Sequence, residues 1–341
     1  MSLLLSEEDV REVLGADAVI EAVEEGFRAY GEGRVNMPPK SYLLLDDGDF
    51  RAMYGEIKGF LGHDVCGLKW VNVHPNNPSI GLPTVMAKIL LNDPVTGVEL
   101  ADMDGSFITD MRTGAAGAVA VKYLAREDAS NIAFMGAGRQ ATTQLECIRR
   151  VRNILRVRVY DLDESRAEEF AHHASELGVA DSMACGLEEA LEDADILVSL
   201  TPSRKPVVSA DLIPDGLHIN AFGADAQGKQ ELDPAILRRA RIYIDDWEQA
   251  SHSGEINVPL GEDYISKSDI SGSLGGLVTG SVEGRVANDD VTLFDSTGLI
   301  VQDLVTAYTA YRLCKMRGLG VGKQFLSRVP GGMLEDVYKR F

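Results

Sequence analysis

The spacing of apolar and polar positions changes rhythm along the chain. Residues 6–32 open with Ser6-Glu-Glu-Asp, a cap followed by acids. Apolar residues then recur at helical spacing (Val10, Val13, Leu14, then Ala18, Val19, Ala22, Val23, Phe27), which predicts two short helices. From Lys40 to about Asp104 short apolar runs are broken by Gly, Pro, Asn and Asp, which predicts strands at Ser41–Leu45, Phe50–Tyr54, Val65–Val73, Val85–Leu91 and Val98–Met103. Residues 106–125, rich in alanine and valine, read as one helix. Strand and helix then take turns at 131–135, 140–151, 156–160, 163–177, 182–185, 187–193, 195–200, 210–213, 217–221, 233–239 and 241–245. Beyond Asp246 come a polar, Gly-rich passage, helical segments near 268–283, a strand at Val291–Phe294 and an amphipathic helix from about Gly298 to Met316.

Alternation of strand and helix implies α/β architecture, with a parallel, doubly wound sheet of the Rossmann kind. The earlier strand block lacks long intervening helices and reads as a separate α+β domain. Chain termini often lie close together, so the C-terminal helix is expected to return to that first domain. The expected domains are residues 1–115 with 304–341, and residues 116–303.

At 341 residues and 45% hydrophobic, the chain can bury a full core and is expected to form two domains. It has no uninterrupted apolar run of membrane-spanning length, and its start lacks a basic, cleavable leader, so a cytoplasmic, non-membrane protein is expected. Cys66, Cys147, Cys185 and Cys314 are scattered without metal-ligand spacing, so free thiols and no metal are expected. A net charge of -20 argues against nucleic acid as a partner.

The apolar run Asn131-Ile-Ala-Phe-Met enters Gly136-Ala-Gly138-Arg-Gln-Ala141. Such a strand, turn and helix start cradle a dinucleotide pyrophosphate: one glycine allows the turn, the next admits the phosphate, and the small residue lets helix and strand pack closely. The following strand ends in Asp161, 20 residues past Ala141, where a ribose-binding carboxylate belongs. An acid there favours NAD, because it accepts from a free 2′-hydroxyl and repels a 2′-phosphate; Arg166 is the nearby cation that could reverse this.

Three further segments carry chemistry. Lys69, in Gly67-Leu-Lys-Trp-Val-Asn72, sits inside an apolar strand, where it is either an acid/base or a lysine snorkelling from a strand edge. Arg112 opens a small-residue helix and suits a carboxylate or phosphate, or is a surface residue. Asp225 lies just past a strand end, facing the crevice of a doubly wound sheet or capping a turn.

Taken in order, these pieces resemble the ornithine cyclodeaminase and mu-crystallin family nearly end to end. The matching segments include Met37-Pro-Pro-Lys40, Arg51-Ala-Met53, Gly67–Pro75, Gly81-Leu-Pro-Thr84, Arg112–Ala115, Gly136-Ala-Gly138, His218–Asp225, Gly228–Leu232, Gly254-Glu255 and Phe294–Gly298. Within the family, Thr201–Val208 and the Lys69 segment look most like the archaeal-type alanine dehydrogenases. The resemblance implies a substrate and dimerisation domain beside an NAD domain, a homodimer, and an amino-acid or keto-acid substrate, with L-alanine oxidation to pyruvate and ammonium the leading activity. It implies that Arg51, Lys69 and Arg112 surround the substrate carboxylate, that Lys69 also moves protons, and that Asp225 handles ammonia or water. It further implies that Arg112, Thr113, Gly136, Gly138, Gln140, Asp161, Thr201, Ser203, Lys229 and Ser296 line the cofactor. Ornithine cyclisation, cyclic-imine reduction and mu-crystallin-like ligand binding are the alternatives, and an acid at Glu56 keeps the cyclodeaminase in view.

Overall fold

In the computed structural model, which describes residues 1–324 and 331–341, the boundary between two units falls inside one helix, Ser106–Leu124. The units are Met1–Arg112 with Leu299–Phe341, and Thr113–Gly298. These limits lie slightly before those expected from the sequence. At the second boundary the reason is that the whole Ile300–Arg317 helix packs on the sheet of the first unit.

The first unit is built on a sheet in the order Val321–Lys323, Ser2–Leu5, Glu99–Asp104, Val85–Asn92, His63–Val73, Gly48–Phe60 and Val35–Asn36, with Ser41–Leu45 also paired to Gly48–Phe60. Neighbours are antiparallel except Ser2–Leu5 and Glu99–Asp104. Period-two alternation assigns the faces. Arg51, Met53, Lys69, Val71, Ala87 and Ile89 share one face by register and are buried. The Ile300–Arg317 and Ala16–Gly31 helices pack on the strands and on each other there. The other face presents Leu43, Phe50, Tyr54, Trp70 and Met86, with Phe50 stacked on Trp70 at a centroid distance of 5.2 Å. Trp70 is 43% exposed and Tyr54 46%.

The second unit holds a parallel sheet in the order Asp181–Ala184, Arg156–Tyr160, Asn131–Met135, Ile196–Ser199, His218–Ala221, Thr292–Asp295, Arg241–Ile244 and Ile270–Ser273. Winding reverses between Asn131–Met135 and Ile196–Ser199, so the switch point of the doubly wound sheet lies beside Gly136. His218 is spent on structure: its ring bonds Thr292 Oγ1 and Asn220 Oδ1, both at 3.0 Å, and Asn220 Nδ2 donates to Gly117 O at 3.1 Å. Burial pushes this imidazole down to about 3, so it is neutral.

The structure departs from sequence expectation in short elements. Residues 268–283 include a strand, Ile270–Ser273, ahead of the helix Leu274–Thr279. The polar passage after Asp246 contains two helices, Trp247–Ser253 and Asn257–Gly261. Residues 210–213 form a 3-10 turn at Ala210–Leu212. Arg204–Val208 and Gln230–Leu232 pair as a small separate sheet. Runs this short have no resolvable period, and tertiary pairing decides them.

Candidate active site

In the first unit the central strand His63–Val73 carries Lys69 into the face covered by helices, where it is 1% exposed. A buried ammonium requires a counter-charge. Asp303, on the first turns of the Ile300–Arg317 helix, supplies it: Lys69 Nζ donates to Asp303 Oδ1 at 2.8 Å. The same oxygen accepts from Arg112 Nε at 3.1 Å, and Arg112 Nη1 donates to Gln302 Oε1 at 2.7 Å. Burial lowers the Lys69 ammonium to about 8, with Asp303 opposing the shift and Arg112 adding to it. Neighbouring positive charge alone does not set this value; desolvation leads, and the counter-ion holds the lysine in place.

Arg51 shares the Lys69 face, but its guanidinium forks onto Asp49, Nε to Oδ1 at 2.7 Å and Nη2 to Oδ2 at 3.1 Å, beside the ring of Tyr42. Glu56 pairs with Cys66 across the ladder and falls at the alternate position from Met53 and Lys69, so it belongs to the opposite sheet face.

In the second unit Gly136 adopts φ 99°, a left-handed conformation that glycine alone takes at little cost, and its N–H donates to Tyr160 O at 2.8 Å. Gly138 is the N-cap of the 13-residue helix Arg139–Val151 with no side-chain cap bond, and a Cβ at Gly138 would meet nothing within 4 Å. An open glycine at an uncapped helix start fits a pyrophosphate. Gln140 lies in the first turn of that helix. Asp161 Oδ2 accepts from Ala137 N at 2.7 Å, so the ribose-binding candidate also ties down the glycine loop. Arg166 pairs with Asp163, 3.3 Å away, rather than reinforcing a 2′-phosphate site. Thr113 is buried, its carbonyl accepting from Gln144 Nε2 at 3.1 Å.

At the carboxyl ends of the parallel strands, loops are tied to buried acids to which the sequence reading gave no role. Glu231 accepts from Thr201 N at 2.6 Å through one oxygen and from Gly223 N at 2.9 Å through the other. Glu255 accepts from Glu231 N and Leu232 N. Asp295 accepts from Ile256 N, and Asp245 from the N–H groups of Thr297 and Gly298. Ser296 lies against Asp245, its Oγ 3.5 Å from Oδ2. Burial raises Glu231 and Glu255, and burial with the charge of Asp245 pushes Asp295 up to about 8. Ser203 Oγ donates to Lys205 O at 2.6 Å. Asp225 and Lys229, expected to serve chemistry and cofactor separately, form an ion pair with each other.

Asp303 and Gln302 left one signal in the sequence, two polar residues inside the otherwise apolar Ile300-Val-Gln-Asp-Leu-Val305. Among the described residues no helix is long and apolar enough to cross a membrane, and no group of three or more His, Cys, Asp or Glu is placed to hold a metal ion.

Residues 1–316 match the model of the ornithine cyclodeaminase/mu-crystallin family. An alanine dehydrogenase of Archaeoglobus fulgidus is 46% identical over 319 residues, covering 94% of this chain and 97% of that protein. A solved archaeal alanine dehydrogenase dimer with bound NAD superposes with a TM-score of 0.91 at 45% identity, covering 95% of this chain and 99% of that one. The Δ(1)-pyrroline-2-carboxylate reductase of Thermococcus litoralis, solved with NADH and L-proline, gives a TM-score of 0.90 at 37% identity, covering 94% of this chain and 100% of that one.

Proposed function

The chain belongs to the ornithine cyclodeaminase/mu-crystallin family, and within that family we propose that it is an NAD-dependent amino-acid dehydrogenase acting best on L-alanine. The observation that carries the reading is the buried Lys69, poised near 8 beside Arg112, in a chain 46% identical to an alanine dehydrogenase. A ligand-binding protein has no need of a lysine held in that state.

Gly136, Gly138 and the start of the Arg139–Val151 helix would hold the pyrophosphate, and Asp161 the adenosine ribose. Bound NAD supplies the acceptor for hydride from the substrate Cα. The rest falls to this chain. Arg112 and Arg51 bind the α-carboxylate by charge-assisted hydrogen bonds. Neutral Lys69 takes a proton from the reacting nitrogen or from water, and Asp225 assists water addition to the imine and departure of ammonia. One water is consumed; pyruvate and ammonium are released.

A screen of L-amino acids for absorbance of reduced cofactor tests the reading. Alanine with NAD is expected to be fastest and NADP much slower, since Asp161 repels a 2′-phosphate. If no amino acid reduces NAD, while a cyclic imino acid consumes NADH, the reductase reading replaces this one; the likeness to the Thermococcus enzyme favours it as second.

A homodimer and a cytoplasmic setting are part of the proposal. The four cysteines are free thiols, which suits a reducing compartment. The face bearing Leu43, Tyr54, Trp70 and Met86 is apolar and exposed, as a face awaiting a second copy would be, and the archaeal alanine dehydrogenase neighbour is a dimer. Trp70→Asp is expected to shift sedimentation from dimer to monomer at micromolar concentration; a variant that stays dimeric would place the interface elsewhere.

A further inference from the structure

We propose that Asp303 is a positioning residue for the proton carrier: its one oxygen, Oδ1, fixes both Lys69 Nζ and Arg112 Nε, and so sets where Lys69 points and at what pH it works. The inference rests on Lys69 being that carrier. Asp303 is fully buried, and its second oxygen has no hydrogen-bond partner among the described residues. A carboxylate in that condition is costly, and it is held by the two cations on Oδ1. Gln302, the preceding residue, takes Arg112 Nη1, so one helical turn engages both Lys69 and Arg112.

The groups facing Lys69 are Asp303 from the Ile300–Arg317 helix, and Arg112 and Asp110 from the Ser106–Leu124 helix. Its cross-strand neighbours, Met53 and Ile89, are apolar. Asp303 and Asp110 stabilise the ammonium; burial and Arg112 oppose it. The sign follows. Removing the Asp303 charge favours neutral Lys69, so proton uptake by Lys69 extends to lower pH, while loss of the anchor lets Nζ leave its working position.

Lysine labelled with carbon-13 at Cε, in the full-length protein without cofactor, reports the titration directly, with Lys69 assigned by its absence in Lys69→Arg. The wild-type midpoint is expected at about 8. In Asp303→Asn it should fall by about one unit or more. The acidic limb of kcat/KM for amino-acid oxidation should move the same way, with turnover at least about 10-fold lower. A variant whose Tm drops while midpoint and limb stay put would make Asp303 merely structural and overturn the proposal. Should the asparagine protein not fold, Asp303→Glu decides: charge is retained, so turnover falls with the midpoint unlowered, and a lowered midpoint refutes the assignment. The carbon titration needs no substrate, so failure of the dehydrogenase reading and failure of the Asp303 role are separate results.

Discussion

Lys69→Ala is expected to lower turnover of the best amino acid by roughly 100-fold or more, the usual effect of losing a general acid/base, while NADH still binds with near-normal affinity. The separation follows from where each function lies. Lys69 sits on a strand of the first unit, whereas the glycine turn at Gly136, the helix start at Gly138 and Asp161 belong to the second. Asp303 keeps Arg112 on Oδ1 but loses Lys69, so a lowered Tm is expected and is measured alongside the kinetics. Steady-state kinetics paired with fluorescence titration of NADH checks both halves. Near-normal turnover would sink the mechanism; parallel loss of turnover and NADH affinity would mean that the lysine supports structure.

Asp225→Asn is expected to reduce turnover by roughly 10- to 100-fold, again with a smaller change in cofactor affinity. The carboxylate is paired with Lys229 across one turn of loop, and the amide retains the shape but neither the charge nor the basicity. Lys229 then loses its partner, so NADH affinity should shift modestly. Single-turnover measurements separate the steps: a burst of NADH followed by slow release of ammonia would place Asp225 at imine hydrolysis, as proposed. If hydride transfer itself were slowed equally with no burst, Asp225 would act at an earlier step.

Elements with long periods or strong turn chemistry were legible in the sequence. The helix over 106–125, the strand Ser41–Leu45 and the glycine turn after Asn131–Met135 lie where their residues put them, because apolar period and turn chemistry agree there. The candidate site was readable as a set of residues but not as a set of partners. Lys69 stood out as a cation among apolar neighbours. Its counter-ion, Asp303, lies 234 positions away, and no local pattern links two residues so far apart. The carboxylate that orients Arg51, Asp49, is likewise seen only in the folded chain. The sheet face on which Glu56 falls is decided by strand register, which the sequence alone does not give. The buried acids were passed over for another reason: composition suggests solvated carboxylates, and only tertiary contact shows Glu231 and Glu255 accepting backbone N–H groups out of water.

That mode of attachment bears on how far these loops can vary in sequence. Glu231 grips the main chain at Thr201 and Gly223, so the loop backbone is held whatever side chains it displays. Positions in 201–203 and 222–227 other than the proposed site residues Thr201, Ser203 and Asp225 can therefore be exchanged by drift or by design while the path of the loop persists. Gly223 is the exception: a Cβ there would collide with Thr201 O and Glu231 Oε2. A library randomised at these loops with Thr201, Ser203, Gly223, Asp225 and Glu231 held constant should keep a large share of folded members, which a soluble-expression screen would check.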